Sequence, residues 1–458
     1  MPAPFTGDLM PPASDEVLIR SSRESDSARP GQSINLWDAM AMVVGIVIGS
    51  GIFRLPSLVA GNVDGPTLFL LLWVAGGVIS FVGALVYSEL ASAFPSAGGD
   101  YHFLMRAYGR PVAFLFAWAR MTVMQTGSIA LVAFVFGDYA TQLVALGPYG
   151  PSIYAGAAIV VLTTLNVLGT SQGKWAQNLL TILIVVGLLA VVAVSFGRPP
   201  APSSAAAGGS VAIGGAMILI LLTYGGWNEA AYLSGEIKDV RRNMVRALMY
   251  GLGTVTIIYV AVNYAYVRVL GLDGVRSSEA VGADLMRATL GEWSAMVLSV
   301  LVSAAALSTL NATIFTGART NYALGRDFTL FSYLGRWKLR GDTPANALIV
   351  QGAVALALVA LGTGVARGGV QTMVDYTAPV FWFFFLMTGV ALFILRRQRP
   401  ESPEPFRVPL YPLTPLLFCA TCAYMLYSSL TFTGPGAAVG VAIVAAGLPV
   451  LLLASRKR

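Results

Sequence analysis

Gly45-Ile46-Val47-Ile48-Gly49-Ser50-Gly51-Ile52-Phe53 lies inside an apolar run from Leu36 to Leu58. A run of that length spans a bilayer, which takes about 20 residues. Gly49-Ser50-Gly51 falls well within it, although each glycine in a helix interior costs about 1 kcal/mol relative to alanine. A helix that breaks at mid-membrane bares N–H and C=O groups that lipid cannot satisfy. Such a break persists only where it lines a cavity inside protein. The stretch therefore reads as a binding site. The competing reading is local: Gly45-x-x-x-Gly49 is also a helix-packing motif.

Working outward, the apolar character continues along nearly the whole chain. Of 458 residues, 56% are hydrophobic and 11% charged, where a soluble domain carries about 25% charged residues. The fold class expected is an all-α polytopic membrane protein. The net charge of +7 reports topology rather than a nucleic-acid surface. Residues 1–35 are polar, lack an apolar core segment, and read as a disordered cytoplasmic tail with no cleavable signal peptide. Cys419 and Cys422 lie within an apolar run and read as small packing residues. No metal site, cofactor or disulfide framework is expected.

About twelve spans are expected: 36–58, 66–92, 112–142, 152–170, 177–197, 211–235, 246–271, 289–317, 345–364, 371–395, 409–431 and 436–454. With the N-terminus inside, most of the 29 Lys and Arg fall on inner segments, as in Lys238, Arg241, Arg242 and Arg246. That bias places both termini in the cytoplasm. Span one breaks at Gly49 and span six at Gly225-Gly226, each about thirteen residues in. They lie five spans apart. Five is odd, so the second set of five enters from the opposite side, as in inverted-repeat transporters. The expected units are 36–200 (helices 1–5), 208–397 (helices 6–10), and 408–458 (helices 11 and 12 with a short cytoplasmic C-terminus).

A broken helix offers two kinds of backbone ligand. The half that starts at the break presents N–H groups and partial positive charge, which suit a carboxylate. The half that ends there presents carbonyls, which suit an ammonium. Ser50 and Gly51 would supply N–H groups, and Ile46 and Val47 carbonyls. Leu222, Thr223, Tyr224 and Gly225 would supply more carbonyls from span six. A ligand with carboxylate and ammonium on one carbon is an α-amino acid. Side-chain selectivity is then left to Tyr224, Trp227, Asn228 and span three.

These residues resemble the amino acid–polyamine–organocation transporters, especially the L-type amino acid transporter branch. Gly49-Ser50-Gly51-Ile52-Phe53 is similar to that family's span-one signature. Tyr224-Gly225-Gly226-Trp227-Asn228, with Glu236-Ile237-Lys238 and Arg242-Asn243 beyond, is similar to its span-six motif. Tyr87-Ser88-Glu89-Leu90, Pro95 to Tyr101, Phe315-Thr316 with Arg319, and Pro405 to Leu410 add matches. The resemblance covers about residues 33–430. It implies the inverted-repeat fold, alternating access, and head-group contacts at Val47, Ser50, Gly51, Leu222 and Gly225.

This chain departs from the family in three places. Leu222 stands where relatives often carry an aromatic gate. After Gln177-Asn178 the chain reads Thr181-Ile182-Leu183-Ile184, without the lysine of several relatives, so a lysine-borne substitute for sodium has no residue here. The outer loop Leu146–Ser152 has no cysteine, so no disulfide-linked heavy chain is expected.

Candidates for coupling or selectivity are Glu229, Ser303, Ser308, Thr309 and Gln125. An intramembrane carboxylate such as Glu229 marks function by default, although it would also be tolerated in a wet vestibule. Hydroxyls on span eight could hold sodium or a proton-linked water, and are equally ordinary packing residues. The expected function is secondary active transport of neutral L-amino acids, as an exchanger or proton-coupled symporter, in a plasma membrane of the bacterial inner-membrane kind. The expected partners are the amino acid, protons or sodium, and the bilayer. The alternative is a polyamine or cationic amino acid carrier, which Glu229 motivates. No span pairs histidines and carboxylates for catalysis, so no enzyme is expected.

Overall fold

The computed structural model describes residues 34–96, 98–169, 174–202, 211–234, 236–338, 343–364, 368–398, 405–432 and 435–456. All but the last two residues of the expected tail lie outside the described residues. Where described, the chain is helical, with no strand; only isolated bridges such as Ile34 with Ile237 occur.

Span one is split. Helix α1 covers Leu36–Val47 and begins on Asn35, whose side chain accepts the Asp38 N–H at 3.0 Å, satisfying one of the donors a helix start leaves open. Ile48 and Gly49 leave the helix, a 3₁₀ turn covers Ser50–Phe53, and α2 resumes over Leu55–Ala60. Helix α3 is Pro66–Ala93, followed by the short α4, Gly99–Tyr108. Span three is α5, Arg110–Ala119, and α6, Gln125–Thr141, joined by a π-helical turn at Arg120–Met124. Helices α7, Gly150–Leu168, and α8, Lys174–Ser195, follow.

Span six is split as well. Helix α9, Ile213–Thr223, stops at Tyr224-Gly225-Gly226, and a 3₁₀ segment covers Trp227–Leu233. Then come α10, Val240–Ser277, with a non-helical Gly271; α11, Val281–Leu290; α12, Glu292–Asp327; and α13, Ala345–Gly364. Helices α14, Gly369–Leu395, α15, Leu413–Thr431, and α16, Pro435–Arg456, complete the chain. Eight of the described helices are long and apolar enough to cross a membrane, and shorter apolar helices stand at spans one, five, six and twelve. Helices α4 and α11 were not expected. They are ten residues each and carry Asp100, Arg106, Asp284 and Arg287, so hydropathy does not mark them.

Packing sorts the helices into two groups. Helix α10 lies along α1 and α3, and α9 packs on α2 and α3. Separately, α6 packs on α7 and α12, and α13 on α7. Small residues set the first group's close spacing: a Cβ on Gly83 of α3 would sit 2.5 Å from the Trp227 ring. The two breaks fall where the groups meet. The 3₁₀ turn at Ser50–Phe53 touches α9 in its own group and α6 and α12 in the other.

Candidate functional site

The two breaks touch each other. Gly226 has φ +102°, a left-handed conformation that glycine adopts without a steric penalty. A Cβ there would lie 2.9 Å from Ile46 Cγ2 and 3.1 Å from the Ile46 carbonyl oxygen, so the end of α1 abuts the span-six turn. On the other half of span one, Gly51 faces Thr223, whose Cα would be 3.9 Å from an added Cβ. Ser50 is buried beside it. Ile46, Gly51, Thr223 and Gly226 therefore form one backbone-lined seam.

Some expected ligands already have partners in this conformation. The Val47 carbonyl accepts the Gly49 N–H at 2.8 Å and the Tyr259 hydroxyl at 2.8 Å. The same hydroxyl lies 3.4 Å from the Thr223 carbonyl, so Tyr259 of α10 bridges both breaks. The Leu222 carbonyl accepts the Gly225 N–H at 3.0 Å. Tyr224 is fully buried, donates its hydroxyl to the Trp73 carbonyl at 3.0 Å, and packs on the rings of Trp73 and Tyr259. Trp227 sits in an aromatic cluster with Tyr87, Phe385 and Phe418. Asn228 is buried. Across the interface, Gln125 donates from Nε2 to the Thr313 carbonyl of α12 at 2.9 Å. On α12, Ser303 is buried with no hydrogen-bond partner for its hydroxyl among the described residues, Ser308 is half-buried, and the Thr309 carbonyl accepts the Thr313 hydroxyl.

A family model described as "Amino acid permease" matches residues 34–453. This chain belongs to the amino acid permease family. It is a membrane-integral transporter of the amino acid–polyamine–organocation superfamily, not an enzyme. The permease is similar to the mouse b(0,+)-type amino acid transporter 1, with 29% identity over 87% of this chain and 84% of the relative. It is similar to the human Asc-type amino acid transporter 1, at 29% over 97% and 84%. It also resembles the mouse large neutral amino acids transporter small subunit 2, at 28% over 92% and 81%.

The permease is sealed on one side of the seam. Take the side on which α1 starts as the near side. On the far side, Phe53 is buried edge-on against Tyr139, whose hydroxyl donates to the Phe53 carbonyl at 2.9 Å. Arg54 pairs with Asp138 of α6 at 2.8 Å and reaches the Ser278 carbonyl at 3.3 Å, just before α11. Arg276 donates to the Ala60 and Val63 carbonyls, both at 3.1 Å. Span one, span three and the α10–α11 joint are thus tied together beyond the break.

The near side of the permease is charged. Arg120, on the π turn, points at Glu229, with guanidinium nitrogens 3.4 Å from both carboxylate oxygens. The Glu229 side chain keeps 39% of its surface exposed, the Arg120 side chain 8%. Below them on α4, Asp100 is enclosed and accepts the Tyr87 hydroxyl at 2.6 Å and the Thr388 hydroxyl at 3.2 Å. Burial pushes the Asp100 carboxyl up to about 6; the Tyr87 bond pulls the other way, the Glu229 charge adds to the rise, and the Arg120 charge opposes it. Tyr259, the Arg54–Asp138 pair and the Arg120–Glu229 pair are what reading the sequence missed. Both pairs join residues far apart in the chain, and nothing local announces them.

Proposed function

We propose that the permease is a secondary active transporter of neutral L-amino acids, working by alternating access as an exchanger or a proton-coupled symporter. The observation that carries this reading is the contact between the two breaks. Ile46 and Gly226 bring a helix end, with its carbonyls, against the span-six turn. Ser50 and Gly51 open a new helical segment on the other side of the same seam. Carbonyls suited to an ammonium and N–H groups suited to a carboxylate would thus face one ligand, as an α-amino acid head group requires. Its contacts would be Ile46, Val47, Ser50, Gly51, Leu222 and Gly225. The name of one relative, the large neutral amino acids transporter small subunit 2, supports the neutral class.

The same reading treats 36–200 and 208–397 as inverted repeats, with 408–458 appended, and places both termini in the cytoplasm on the strength of the basic-residue bias. The near side is then cytoplasmic. Proteoliposomes given labelled leucine test the reading. Saturable uptake should appear, at least about tenfold faster with unlabelled leucine inside if exchange operates, and with an acid outside if protons drive it. No saturable uptake of any neutral amino acid under either condition would refute it.

A further inference from the structure

We propose that Arg120 is a built-in countercharge that sets the charge specificity of the site by occupying Glu229, so that amino acids with cationic side chains are refused. The proposal rests on the transport reading above and adds what decides among amino acids sharing one head group.

Three observations point to it. Glu229 lies one turn past Gly226, its backbone N–H donating to the Gly226 carbonyl at 2.9 Å, and so belongs to the segment that opens directly after the span-six break. It remains 39% exposed while its partner is 8% exposed, so the carboxylate is the more accessible half of the pair. The pair is also loose. A charge-assisted bond between guanidinium and carboxylate closes to about 2.7–2.9 Å, whereas all three contacts here are 3.4 Å. Guanidinium and carboxylate thus lie in ion-pair range without the short contacts of a closed bidentate pair. Arg120 reaches Glu229 across the boundary between the two helix groups, from a π-helical turn in which the Gln125 N–H bonds back to the Arg120 carbonyl. Such turns are frequent at functional sites.

The charge balance follows. With the pair intact, Glu229 is neutralised and the wall beside the seam suits an apolar or neutral polar side chain. A lysine side chain would have to compete with Arg120 for the Glu229 carboxylate and part a largely buried ion pair, which is unfavourable.

Two substitutions act in opposite directions. In proteoliposomes, Arg120→Gln should raise the ratio of lysine to leucine uptake by at least about tenfold, because Glu229 loses its internal partner. Glu229→Gln should leave lysine refused and raise the ratio of glutamate to leucine uptake by a similar factor. If Arg120→Gln does not give monodisperse protein, Glu229→Gln decides alone. Unchanged ratios in the folded variants, with wild-type leucine uptake present, would overturn the role of Arg120 and leave the transport reading standing. Absence of leucine uptake by the wild-type protein would instead overturn the transport reading.

Discussion

Gly51 and Ser50 are the residues where the proposed site is most exposed to test. A Cβ at Gly51 would meet only ordinary contacts, 3.5 Å to Leu55 and 3.7 Å to Thr223, so alanine fits. Leucine does not, since its three further carbons must enter the seam that the amino acid head group would fill. Gly51→Leu and Ser50→Leu should therefore each reduce leucine binding at least about a hundredfold, equivalent to roughly 3 kcal/mol. Both should still give monodisperse, helical protein. Equilibrium binding to purified variants checks this; wild-type affinity in either would remove Gly51 and Ser50 from the site. The glycines were legible in the sequence because they weaken a membrane helix where it should be strongest. Tyr259 was not. A tyrosine in an apolar span looks like packing until its hydroxyl is seen at the carbonyls of Val47 and Thr223. Tyr224, which the sequence offered for selectivity, donates its hydroxyl to the Trp73 carbonyl.

At the scale of elements, the far-side closure depends on α2 and the 3₁₀ turn being pinned to α6 and to the joint before α11. Arg54 carries much of that, through Asp138 and the Ser278 carbonyl. Removing one partner would strand a largely buried charge, so the informative change removes both. Arg54→Met with Asp138→Leu should loosen the far side and increase the population in which the seam opens there. A cysteine at Ser50, with Cys419 and Cys422 replaced by alanine, should then react with a membrane-impermeant maleimide from the far side at least about fivefold faster, a shift of roughly 1 kcal/mol between states. An unchanged rate would show that the pair does not hold the closure. The split spans themselves were readable from paired glycines. Helices α4 and α11 were not, because ten-residue helices that carry charged residues give no hydropathy signal of their own. Nor was the π turn, since its register change leaves no mark in the order Arg120 to Met124.

At the scale of the molecule, α1, α3, α9 and α10 pack as one group and α6, α7, α12 and α13 as another, with the seam between them. On the proposed alternating-access reading, closure at Phe53 and Arg54 on one side and a half-exposed Glu229 on the other would be one end state of a rocking motion. The second end state would exchange these roles. The membrane nature of the helices was readable from composition. Their grouping was not, because it depends on contacts between distant parts of the chain.

The central claim is that the seam reads both halves of an amino acid head group. Competition against labelled leucine on the purified wild-type protein tests it most directly, using leucine, 3-methylbutylamine and 4-methylpentanoate. The last two keep the side chain and lose the carboxylate or the ammonium. Leucine should displace the label, and each analogue should bind at least about a hundredfold more weakly, because a charged backbone contact then lacks its partner. Displacement by either analogue at concentrations similar to leucine would contradict a two-sided clamp.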